Sequence, residues 1–214
     1  MFSILRTLTL VLLSLLLLSV GCSKKTATPP ASHVPDYAVT CIGVLPVATA
    51  DNFDEIVLAA ERKQLQNGVH ILNELLKKQF ISRSDVRLVS DGQISGMGEN
   101  LPAQPLARAR VIADRLSCNT VLETTLRRYK DRVGGQYTAK NPASVAFDFR
   151  LIAIPEGVVL CSGTFDEVQQ SVMENLYNFK SATERGFTWV TAEQLMREGL
   201  RVRFSECPYL AEDE

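Results

Sequence analysis

Residues 145–165 read VAFDFRLIAIPEGVVLCSGTF, and their alternation decides the fold. Side chains on a strand point to opposite faces with period two. Val145, Phe147, Phe149 and Leu151 therefore share one face, and Ala146, Asp148, Arg150 and Ile152 share the other. Pro155-Glu156-Gly157 supplies a turn, and Val158 to Phe165 supplies the return strand. A slip of one residue would carry every aromatic to the wrong side, so the pattern sets the register. The aromatic face must lie under helices, and the Asp148/Arg150 face must be the more open one.

The segments before and after this hairpin provide that cover. Val39, Cys41, Gly43 and Leu45 alternate with Thr40, Ile42, Val44 and Pro46, and both sets are largely apolar. A strand buried on both faces has this composition, as central parallel strands do. Asp51 or Asn52 is placed to cap a long amphipathic helix, in which Leu58, Leu65, Val69, Leu72 and Leu76 recur at helical spacing up to Phe80. Gly68 is a candidate bend within it. Val86 to Ser90 reads as a short strand, and DGQISGMGEN, residues 91–100, as a glycine-rich loop. Pro102 and Pro105 lead into a helix over Leu106 to Leu116, and Thr120 to Tyr129 forms the next strand. Gly134-Gly135 and Asn141-Pro142 mark a loop before the hairpin. Thr191-Ala192-Glu193-Gln194 is a capping-box sequence opening a last helix through Leu195, Met196 and Leu200. The order is β-α-β-α-β-β-β-α: an α/β fold of two or three layers, with parallel core strands and an antiparallel C-terminal hairpin.

The front of the chain differs in kind. Arg6 is the one charge before a run of leucine, valine and small hydroxyl residues from Leu8 to Val20, followed by Gly21 and Cys22. About 20 apolar residues are needed to span a bilayer, so this shorter run suits a cleavable signal better. Residues 1–21 are read as signal peptide and 22–36 as a lipidated cysteine with a proline-rich, solvated tether. Residues 37–210 are read as one domain, long enough to bury a full core. Lys plus Arg is 23 against 24 for Asp plus Glu, without a basic stripe, so no nucleic-acid partner is expected.

LLSVGC resembles a bacterial lipobox, with Ser19 where the family most often has Leu. That resemblance implies diacylglycerol attachment at the Cys22 thiol. Ser23, following it, implies sorting to the outer membrane with the domain facing the periplasm. The four remaining cysteines, Cys41, Cys118, Cys161 and Cys207, allow three full pairings that sequence does not separate. Because Cys207 follows the last helix, where a free chain end gains most from being tied, any disulfide is expected to include it, with Cys118 the preferred partner.

TCIGVLPV, LSCNTVLETTLRRYKD, PASVAFDFRLIAIPEGVVLCSGTFDE and RGFTWVTAEQLMREGL together resemble a group of uncharacterised proteobacterial envelope lipoproteins. More distantly, the pattern is similar to CsgG-like curli-assembly lipoproteins, the amino-terminal domain of TolB, and lipoprotein activators of penicillin-binding proteins. The resemblance implies a non-enzymatic domain that assembles with other envelope proteins.

The residues that could do chemistry point the same way. His33 lies in the tether and His70 in the first helix, which leaves no Ser/His/Asp arrangement. The cysteines are too widely spaced for zinc or redox pairs, so no metal and no cofactor is expected. Gly92, Gly96 and Gly98 match neither phosphate-loop spacing. Glu123 and Asp148 are the basis of a runner-up reading, a periplasmic hydrolase using carboxylates alone. Arg127 and Arg150 on the same strands point instead to cross-strand ion pairs. The leading expectation is a lipid-anchored envelope adaptor that binds another protein, with Tyr137, Tyr177, Phe179 and Trp189 as its contact surface, since aromatics dominate such contacts.

Overall fold

The long hairpin forms as its alternation requires. In the computed structural model, which describes residues 37–50, 59–97, 101–135, 137, 139–154, 156–169 and 188–211, two strands pair antiparallel over Ser144–Ala153 and Val158–Val168. Ahead of them come β1 (Ile42–Val44), β2 (Ala48–Thr49), β3 (Val86–Leu88) and β4 (Thr120–Lys130). A minor pair, β5 (Val133–Gly134) and β6 (Ala139–Asn141), precedes the hairpin, whose strands are therefore β7 and β8. The main sheet runs β3-β1-β4-β7-β8, with β1 parallel to β3 and β4 and with β4, β7 and β8 successively antiparallel.

The strand expected across residues 39–46 forms only over β1, and a second short strand, β2, follows beyond its expected end. β1 and β2 both lie parallel to β4 but are separated at Leu45–Val47. Pro46 has no N–H to give the ladder. The Val47 N–H leaves it as well, donating to Asn73 Oδ1 at 3.0 Å.

Four helices stand among the described residues: α1 (Ala59–Phe80), α2 (Asp91–Gly96), α3 (Pro105–Leu116) and α4 (Ala192–Ser205). α1 buries Leu72, Leu75, Leu76 and Phe80, and α4 buries Leu195, Met196, Leu200 and Phe204, all in one core with Phe147, Phe149 and Leu151. Gly68 does not interrupt α1. It lets the helix approach β4, where an added Cβ would come within 2.5 Å of the Tyr129 ring. The Thr191 capping box is fully formed, with the Gln194 N–H donating to the Thr191 hydroxyl at 3.2 Å. The stretch read as a glycine-rich loop instead opens with α2, through a second capping box in which Ser90 accepts from the Gln93 N–H. On the opposite face α3 packs Ala109 and Ala113 on Val121, Ile152 and Ile154. The fold thus has three layers where β4 begins and two where β7 and β8 leave α3 behind. Among the described residues no helix is long and apolar enough to cross a membrane.

The expected Cys118–Cys207 pairing is not the one formed. Cys118 is bonded to Cys41 and Cys207 to Cys161. Cys41 and Cys118 closely precede neighbouring parallel strands, which places their Cα atoms 4.5 Å apart. Cys207 follows α4, which packs on β8 and so meets Cys161, with Cα atoms 5.9 Å apart. Cysteines on adjacent elements are within bonding reach, and the sheet order decided which those are.

Where the chain enters the sheet, Asn119 clamps it. Its Oδ1 accepts from the Thr40 and Cys41 N–H groups at 3.0 and 3.2 Å, and its Nδ2 donates to the Ala38 carbonyl at 2.7 Å. Tyr37 adds a hydroxyl bond to the Ile154 carbonyl at 3.3 Å.

Candidate functional site

At the far end of β4 the sheet gives way to the minor hairpin. The sequence there reads as loop, yet Val133 pairs with Asn141 and Gly134 with Ala139. Gly134 has a φ of 115°, a conformation that glycine adopts at little cost. This hairpin carries two exposed apolar side chains, Val133 at 52 % and Tyr137 at 72 %.

Its base is fixed by polar groups that carry no motif. Asp131 Oδ1 accepts from the Arg132 and Ala192 N–H groups, each at 2.9 Å. The Arg132 guanidinium donates to the Trp189 carbonyl. Gln169, itself buried, donates through Nε2 to the Thr188 carbonyl and accepts from the Val190 N–H, both at 2.9 Å. Residues 188–192 are thereby stitched to the ends of β4 and β8. Trp189 is half-buried beside the hairpin's base, and Tyr137 stands out from it. The structure brings these two expected contact residues to the same end of the sheet. Tyr177, Phe179 and the lipidation residue Cys22 lie outside the described residues. Nothing in the sequence pattern marks Asp131 or Gln169, since each acts through where the fold delivers it.

The carboxylates of the hydrolase reading occupy the open sheet face. Glu123 lies opposite Arg150 in the β4–β7 register and accepts from its guanidinium at 2.8 Å. Asp148 is held by Arg127 at 2.6 Å and by the Thr164 hydroxyl at 2.7 Å. A bulge between Leu126 and Arg128 leaves Arg127 as an extra residue, so both arginines reach Asp166. This is a cross-strand ion-pair ladder, with each carboxylate bonded to a cation. Among the described residues no group of histidines, cysteines and carboxylates is placed to hold a metal ion.

No family model matches the chain, and no curated protein matches it. Solved structures do. The PelC dodecamer from Paraburkholderia phytofirmans is similar at 18 % identity, over 81 % of this chain and 89 % of that one, with a TM-score of 0.40. The C-terminal domain of LpoB from Salmonella enterica is similar at 16 % identity, over 63 % of this chain and 87 % of that one, with a TM-score of 0.37. A lipoprotein from Neisseria meningitidis is similar at 16 % identity, over 69 % of this chain and 95 % of that one, with a TM-score of 0.33.

Proposed function

We propose that the chain is a lipid-anchored adaptor of the cell envelope, held in the outer membrane through Cys22 and working in the periplasm by binding another protein. The observation that carries this reading is the position of Tyr137. It is 72 % exposed on a hairpin fixed at its base, at the opposite end of β4 from the clamp at Tyr37 and Asn119. β4 has 11 residues and spans roughly 35 Å. The exposed aromatic therefore lies about one β4 length from Tyr37, where the domain begins. A large, rigid aromatic with little to do for the core is the side chain that protein contacts use as an anchor.

Crosslinking in intact membranes, followed by identification of the captured protein, tests the reading. A reproducible partner is expected, and Tyr137→Ala should weaken its capture with the thermal midpoint unchanged. Phe147→Ala serves as the control: this ring is fully buried, and its loss should cost about 3–5 kcal/mol of stability. If Tyr137→Ala destabilises as badly as Phe147→Ala, or no partner is captured, the reading fails.

A further inference from the structure

A cleft of about 410 Å³ opens between α2, the first turn of α3 and the uncovered face of β4. Its position follows from the topology. β1 lies between β3 and β4; α1 follows β1 and β2 on one face, and α3 follows β3 on the other before the chain enters β4. Helices departing to opposite faces leave a crevice beyond the carboxyl end of the strand between them, and open α/β sheets bind ligands there. Here that end is the broken stretch after Val44, and Leu45 and Pro46 line the cleft. The volume lies within the range of small-molecule sites.

The chemistry of the walls is uneven. Leu45, Pro46 and Ile94 give it apolar lining. Arg108, from the first turn of α3, also lines the cleft, and its guanidinium has no ion pair or hydrogen bond among the described residues. Pro105 is the first residue of α3, and Gln104 before it makes no side-chain cap, so the Leu106 and Ala107 N–H groups are left without a side-chain acceptor. The remaining cation, Arg150, is already bonded to Glu123 in the floor. Asp91, on the α2 side, adds a second negative charge.

We propose that this cleft binds the free carboxylate end of an apolar peptide. The carboxylate meets Arg108 and the uncapped start of α3, and the adjoining side chain lies on Leu45, Pro46 and Ile94. With Glu123 neutralised by Arg150, Asp91 is the lining charge that repels a second negative charge, which favours a carboxylate monoanion over a phosphate dianion. This ligand site stands apart from the Tyr137 hairpin, and either assignment can fail without the other.

N-acetyl-leucine and N-acetyl-leucine amide are the probes, titrated into the full-length protein in detergent, with backbone amide shifts followed by NMR. N-acetyl-leucine should shift Ile94, Leu106 and Ala107, and the amide form should bind about tenfold more weakly, as expected from loss of a charge-assisted contact. Arg108→Gln, at an exposed position, should reduce N-acetyl-leucine binding to the level of the amide without changing the thermal midpoint. Equal binding of the two probes overturns the proposal, as do shifts confined to other surfaces or no shift at millimolar probe. Tighter binding of inorganic phosphate than of N-acetyl-leucine overturns the choice of carboxylate.

Discussion

Tyr129 is the residue on which α1 and β4 close. Its ring fills the space that Gly68 leaves empty, and only 6 % of the residue is exposed. Burial of the phenol, reinforced by the nearby charges of Asp131 and Glu193, pushes its pKa up to about 12. The sign follows from linkage. Between pH 10 and 12 the folded state keeps a proton that the unfolded state, with tyrosine near 10, has released. The resulting stability is complete below pH 10 and is lost as pH rises through 12. In an alkaline titration followed by phenolate absorbance, one of the five tyrosines should ionise near pH 12, and Tyr129→Phe should remove that step. A step that survives the substitution would place the buried phenol elsewhere.

The elements legible in the sequence are those whose pattern is local. The β7–β8 alternation, the periodic leucines of α1 and the capping box at Thr191 each specify an element without knowledge of its neighbours, and each forms. The ion-pair ladder was legible for the same reason, because Glu123, Asp148 and their arginines sit at fixed strand phase. What depends on distant neighbours was not. Pro46 interrupts the run between β1 and β2, and the Val47 N–H beside it is taken by Asn73, far away in sequence. The β5–β6 hairpin, read as loop, is held at its base by Asp131 and Trp189, which are far apart in sequence. The disulfides are the sharpest case, because pairing depends on which elements lie side by side. Peptide mapping of the unreduced protein should yield Cys41–Cys118 and Cys161–Cys207 linkages, and recovery of a Cys118–Cys207 peptide would refute the β3-β1-β4-β7-β8 order of the sheet. Cys207→Ser should destabilise by up to about 4 kcal/mol, since it releases a closure between residues 46 apart.

At the scale of the whole molecule, the domain from Tyr37 onward forms a unit separate from the first 36 residues, so the anchor and the fold can be tested independently. Cys22→Ala should abolish membrane fractionation while leaving the thermal midpoint of the domain unchanged. A processed Cys22→Ala protein that still sediments with membranes would refute lipid anchoring at that residue. The clamp at Tyr37–Cys41 acquires a mechanical meaning in this setting. Any pull on the preceding chain loads the Tyr37 hydroxyl bonds and then the Asn119 side-chain bonds. Should they give way, the chain extends only from Tyr37 to Cys41, roughly 15 Å at full stretch. The Cys41–Cys118 bond then carries the force across to the start of β4, which is braced on both sides by neighbouring strands. β1 lies downstream of that crosslink and feels no direct tension. In the oxidised state, were the chain held to a membrane and loaded by a partner as proposed, the drag would pass through a covalent strut into β4 and bypass β1.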